Sequence, residues 1–246
     1  MLAYLRLEIV RMFRDRRFTF FTLAVPVAFY LLWANVFDDG GRDPATGLDA
    51  RTYLMVSMAS FGAIGAALSS TGQRFAAERA SGWLRQLRTT PLRPTAVVAA
   101  RTVAAMVLAL PAILLVSLVA VAFQGVRVDP LHWLAMVALM WLGALPFAAL
   151  GILIGSLVGP DAAQPVTLGC YFALSIMGGL WMPTDRLPSG LRAIAGWTPS
   201  NRFGSLGWTL VSGHVPSATT GLVLAGWTAG LVGLAVPAYR RTMRAS

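Results

Sequence analysis

Residues 102–123, TVAAMVLALPAILLVSLVAVAF, carry no charge and nothing more polar than one threonine and one serine. About 20 such residues are what a helix needs to cross the hydrocarbon of a bilayer. Charge-free stretches of similar length recur at 18–37, 52–73, 132–158, 162–181 and 217–238, so the sequence predicts six spans. Charged residues fall almost entirely between them. The predicted fold is a single all-α transmembrane domain over residues 1–246. Its first span is too long for the apolar core of a signal peptide and no A-x-A pattern follows it, so it is expected to stay in the membrane.

The bulk numbers agree. A soluble domain of this size carries about 25% charged residues; here the share is 12%, with a mean hydropathy of +0.66. Ion-coupled pumps keep ionisable relays at membrane depth despite their cost, and the interiors of these spans offer none. If the chain moves a solute, the energy comes from elsewhere. All 20 basic residues are arginine, which excludes a P-loop, because that motif needs the lysine that reaches the phosphates. The net charge of +10 is spread over short loops rather than gathered on a soluble module, which argues against nucleic acid as a partner.

The side chains of usual site chemistry are scarce. Cys170 is the single cysteine and lies in an apolar run, so there is no disulfide framework and no cysteine-built metal site; it reads as a small packing residue. His132 and His214 lie near span ends or in outer loops and read as interfacial polar residues rather than ligands. Asp38, Asp39, Asp43 and Asp49 share one turn-rich loop that lacks the ligand order of a cation site. No nucleophile with an acid–base partner lies at membrane depth, which disfavours an intramembrane enzyme.

Arginine excess marks the cytoplasmic side of a membrane protein. With both termini on one side, that side holds 14 of the 20 arginines, so both termini are expected to be cytoplasmic. Gly151, Gly155 and Gly159 recur every four residues in the fourth predicted span, and Gly226 and Gly230 do so in the sixth. Small residues at that interval let helix backbones approach in lipid, within one subunit or between two. Pro26, Pro111 and Pro146 are expected to bend their helices.

Two loops carry more than connection. Residues 1–17, MLAYLRLEIVRMFRDRR, predict an amphipathic interfacial helix, with Leu2, Leu5, Ile9, Met12 and Phe13 on one face and Glu8, Arg11, Arg14 and Asp15 opposite. Residues 74–94, RFAAERASGWLRQLRTTPLRP, predict a charged helix stopped by Pro91 and Pro94. A mere connector between spans can be much shorter, so this helix reads as a surface offered to another protein.

Three stretches in order resemble one family. Phe75 and Glu78-Arg79-x-x-Gly82, followed by RQLRTTPLRP, resemble the cytoplasmic loop of ABC transporter permeases of the type-2 exporter class, which includes daunorubicin-resistance-type drug exporters and lipid and polysaccharide exporters. The basic start ending in RDRR before a span with Pro26 is similar too, as is 177–203, MGGLWMPTDRLPSGLRAIAGWTPSNRF. The resemblance covers essentially the whole chain.

It implies a coupling helix between spans 2 and 3, with Phe75, Glu78, Arg79, Gly82, Trp83 and Arg85 docking on a separate ATPase subunit. It also implies short outer helices between spans 5 and 6, where Pro183, Leu187, Pro188, Leu191, Trp197 and Pro199 close the exit of a path. The chain itself would hold no cofactor, with ATP and Mg on the partner. The assembly would contain two ATPase copies and a second permease, most simply a homodimer, in a bacterial cell membrane. The spans suit an amphipathic drug-like or lipid-like cargo. The alternative from another class is a non-transporting membrane protein, such as a sensor anchor or an immunity factor, which has no need of an elaborate second loop.

Overall fold

Several helices begin where the sequence supplies a capping side chain. The computed structural model describes residues 2–37, 41–43, 46–81, 94–184 and 188–245. Among these, ten helices follow one another: α1 (Leu2–Arg14), α2 (Arg16–Val36), α3 (Ala50–Ala80), α4 (Pro94–Gln124), α5 (Pro130–Gly143), α6 (Leu145–Leu157), α7 (Pro160–Met177), α8 (Ser189–Ala195), α9 (Pro199–Val211) and α10 (Ala218–Ala245). Carboxylates of Asp15, Asp49 and Asp129 accept from the first free N–H groups of α2, α3 and α5, as N-caps do. Among the described residues the only strand-like pairing is one bridge between Arg42 and Asp49.

Among the described residues, five helical stretches are long and apolar enough to cross a membrane: α2, α3, α4, α5 with α6 as one stretch, and α10. The predicted span 162–181 falls on α7, which is not among them. It ends at Met177, four residues early, and its first turns carry Asp161, Gln164 and Pro165. α7 nevertheless runs antiparallel to α3: Thr167 lies beside Gly72, and Tyr171 lies beside Gly65 with its hydroxyl donating to the Phe61 carbonyl at 2.9 Å. Of the three prolines expected to bend helices, Pro146 sits at a break between α5 and α6, while Pro26 and Pro111 lie inside unbroken α2 and α4.

α3 is the centre. In its apolar window 94% of residues are buried, against 17% in α2 and in α10, which form the outside. Glycines let other helices reach it. A Cβ on Gly62 would stand 3.0 Å from Pro26 of α2, and one on Gly151 would stand 1.9 Å from the Thr71 hydroxyl and 2.8 Å from the Leu68 carbonyl. A Cβ on Gly155 would stand 2.6 Å from the Gly72 carbonyl, so α6 and α3 meet backbone to backbone. Gly226 and Gly230, read as the same kind of seam, meet nothing within 4 Å.

Both chain termini lie at one end of the bundle, where Tyr4 of α1 touches Arg101 of α4 and Tyr239 of α10 packs on Phe75 of α3. α8 and α9 lie at the other end. There α9 is buried through Phe203, Gly207 and Trp208, while α8 exposes Leu191 and Ile194.

Candidate functional site

Phe75, Glu78 and Arg79 do not stand on a separate helix. They occupy the last two turns of α3, which runs without a break from Ala50 to Ala80. Ser81 closes it, its N–H bonding to the Ala77 carbonyl and its hydroxyl to that of Glu78 at 3.0 Å. Gly82, Trp83 and Arg85 lie outside the described residues.

Each of the three described residues is engaged inside the chain. Phe75 is fully buried and packs on Tyr239, ring centroids 5.2 Å apart. Glu78 pairs with Arg101 of α4, and its other carboxylate oxygen lies 3.6 Å from Arg11 of α1. Arg79 donates to the carbonyls of Ser156 at 2.8 Å and Gly155 at 3.2 Å. Those carbonyls belong to the last turn of α6, which has no further intrahelical donors to receive, so a guanidinium there also meets the negative end of the helix dipole. Thr242 of α10 donates to the same Ser156 carbonyl at 3.2 Å.

Neighbouring side chains at 78 and 79 therefore reach in different directions, one to α1 and α4, the other to the α6–α7 elbow. Any displacement of this end of α3 pulls on four helices at once. Around it lies an apolar cluster separate from the main core, including Tyr4, Val98, Ile152 and Tyr239. Burial pushes the Tyr4 phenol far above its usual range, with Arg101 opposing, so Tyr4 stays a neutral hydroxyl.

α1 turns differently from the expectation. Met12 is buried and Leu5 and Ile9 are partly so, but Phe13 is exposed and Glu8 is drawn inward to 9% exposure. The buried Arg101 supplies the counter-charge that permits it. Arg11 reaches Glu78, and Asp15 reaches Arg74. Arg101, Glu8 and Tyr4 were not legible as site residues. The available signal was position: Arg101 stands one residue before an apolar run, and Glu8 is the only acid within α1.

At the opposite end, Pro183 is half-buried, Pro188 precedes α8, and Pro199 opens α9 and is buried. Leu191 and Trp197 are exposed, and the Trp197 carbonyl accepts from the Trp227 indole of α10 at 2.9 Å. Leu187 lies outside the described residues. Among the described residues, no group of three or more His, Cys, Asp or Glu side chains is arranged to hold a metal.

The profile of the ABC-2 type transporter family matches residues 1–204, most of the chain. The chain belongs to this family. A curated relative, "Putative transport permease YvfS" of Bacillus subtilis (strain 168), is 31% identical over 219 residues, which is 88% of this chain and 87% of the relative. The chain is thus an ABC-2 type membrane transport permease, and the match spans both α1 and the clustered end of α3.

Proposed function

We propose that this permease is the membrane-spanning half of an ATP-driven exporter, in which residues 74–90 dock on a separate ATPase subunit. Six passes would place both termini and the clustered end of α3 in the cytoplasm. Two permease copies and two ATPase copies would form one complex, alternating between a cavity open inward and an exit near α8. An amphipathic drug-like or lipid-like molecule suits the aliphatic and aromatic spans.

The observation that carries this reading is the end of α3. It leads directly into residues 82–93 and is braced to α1, α4, α6 and α10 by Phe75, Glu78 and Arg79. A push delivered to that segment therefore reaches the α6–α7 elbow through side chains already in contact. The seventh helix would make the remaining pass, its polar start facing the cytoplasmic interface. Asp161 and Gln164 in its first turns fit that placement.

The test has two arms. The permease alone, in lipid nanodiscs, should neither bind nor hydrolyse ATP, while co-expression with a partner ABC ATPase subunit should yield a stable complex that does. Saturable ATP binding by this chain alone, or no association with such a subunit, would end the reading. Single cysteines at Ser81 and Ser189, in a Cys170→Ala background, should label from opposite sides of sealed vesicles; labelling of both from one side would overturn the topology.

A further inference from the structure

A guanidinium is among the least expected groups inside an apolar bundle, yet Arg101 is only 5% exposed. A buried cation persists when it is paired and hydrogen-bonded on several sides. The partners of Arg101 come from two other helices. It is paired with Glu78 of α3, and the same Nη2 lies 3.8 Å from Glu8 Oε1 of α1. Its Nε donates to the Tyr4 hydroxyl at 3.2 Å, and its guanidinium carbon sits 4.9 Å over the Phe75 ring. Two carboxylates on different helices thus share one buried cation.

The other polar ties between α1 and α3 use more exposed cations, among them Arg11 of α1, its side chain 40% exposed and 3.6 Å from Glu78. Arg74 reaches the Met12 carbonyl at 3.4 Å and the half-exposed Asp15 carboxylate at 3.5 Å, both at the limit of hydrogen-bond range. The outward face of α1 exposes Leu7, Val10 and Phe13. A helix of 13 residues with that face does not hold its place by itself. Of the cations that tie it to the α3 end, Arg101 is the buried one, its side chain 4% exposed against 40% for Arg11 and 24% for Arg74.

We infer that Arg101 is a positioning residue for ATPase coupling: by binding Glu8 and Glu78 on one guanidinium, it joins the N-terminal helix to the end of α3 as one moving unit. This rests on the coupling reading above. α1 is then not a passive anchor. It carries the displacement of the coupling segment to the membrane interface, where its exposed apolar side chains lie.

The decisive variant is Glu8→Leu. It removes the carboxylate contributed by α1 but leaves Arg101 paired with Glu78, so no buried charge is stranded and the bundle survives. Spin labels are placed at Val10→Cys or Ser81→Cys, each paired with Phe123→Cys at the far end of α4, in a Cys170→Ala background. The full complex with its ATPase subunit is measured in nanodiscs with and without ATP and vanadate, diluted so that one protomer carries the pair. In the otherwise unchanged protein, both distances should shift together on nucleotide binding. In Glu8→Leu the Ser81 distance should still shift, while the Val10 distance should broaden and lose its response. Arg101→Leu should broaden Val10 as well, and Arg101→Lys should restore part of the response, since an ammonium keeps the charge but not the fork that spans both carboxylates.

A Val10 response that survives intact in Glu8→Leu would overturn the inference, as would a Val10 distance that ignores nucleotide while Ser81 moves. If neither distance moves in the parent complex, the coupling reading itself has failed, and the role of Arg101 falls with it.

Discussion

Gly151→Ala should damage this permease far more than the same change at Gly226, although both glycines sit in α-helices and both carry the every-fourth-residue spacing. At Gly151 the added methyl would stand 1.9 Å from the Thr71 hydroxyl, 2.8 Å from the Leu68 carbonyl and 3.2 Å from the Gly72 nitrogen. The hydroxyl can rotate only by giving up its hydrogen bond to the Ala67 carbonyl at 2.7 Å. The other two atoms are backbone of the most buried helix in the molecule, so α6 must move away from α3. Overpacking of a close-packed core costs about 1–3 kcal/mol. At Gly226 nothing lies within 4 Å, and alanine there gains about 1 kcal/mol of helix propensity. That gain applies at both sites, so the difference between the two variants isolates the clash. On the scale of about 2–4 °C per kcal/mol for a chain of this size, Gly151→Ala should melt about 2–12 °C below Gly226→Ala. Intrinsic tryptophan fluorescence in lipid-supplemented detergent reads this directly. Equal melting temperatures would refute a backbone-to-backbone seam between α3 and α6. A Gly151→Ala/Gly155→Ala double variant should fall short of additivity, because both methyls press on Gly72.

Three further outcomes follow from single contacts. Arg79→Ala removes the guanidinium donors to the Gly155 and Ser156 carbonyls while Thr242 remains on the latter, and should lower stability by about 1–2 kcal/mol, with faster hydrogen exchange confined to 154–160; unchanged exchange there would exclude the capping role. Tyr53→Phe removes the hydroxyl that donates to the Gly179 carbonyl at 2.6 Å, and should cost about 1–2 kcal/mol while the ring stays stacked on Trp208; a loss of the Trp208 fluorescence environment would mean that the ring, not the hydrogen bond, had been disturbed. Hydrogen bonds from the backbone and ring of His132 hold the Asp129 carboxyl below its usual range, so its contribution is present above about pH 4 and is lost as pH falls through its lower folded value. The acid limb of the stability–pH curve should therefore be shallower in Asp129→Asn, and an identical limb would show that this cap carries no pH dependence.

Periodicity and charge made the spans legible because a helix in lipid must satisfy its own backbone and can carry few charges. The apolar run 18–37 accordingly falls on α2 almost residue for residue, and 102–123 lies within α4, which begins eight residues earlier at Pro94. Where the expectation and the structure part, a neighbour decided the outcome. Nothing in 74–80 marks those residues as the end of α3 rather than a new helix, because continuation depends on what α6 and α10 present beside them. Arg79 continues the helix by capping α6, and Phe75 by meeting Tyr239. The glycine spacing read alike in α6 and α10, yet only in α6 does a second backbone come close. Spacing states that approach is permitted and leaves open what approaches. The inward turn of Glu8 has the same origin, since a carboxylate seeks water unless a buried cation waits for it, and that cation stands 93 positions later in the chain.

These placements change what a charge reversal at Glu78 can reveal. Read as a residue of a solvated or docked loop, Glu78→Arg would report contact with the ATPase subunit alone. With Arg101 and Arg11 as its partners, the same change puts three guanidiniums together at one end of the bundle. Leaving a buried charge of an ion pair without its partner typically costs about 3–5 kcal/mol, whatever the ATPase does. Loss of ATPase association in that variant would thus confound folding with docking. The informative substitutions stand on either side of it. Glu8 can be altered while Arg101 keeps a partner, and among the described residues exposed Ser81 makes no polar contact beyond its own helix. A charge introduced at Ser81, as in Ser81→Asp, should therefore weaken ATPase association while the permease keeps its melting temperature, the separation of docking from stability that Glu78 cannot provide. Association that withstands such a charge would place the docking surface away from the end of α3.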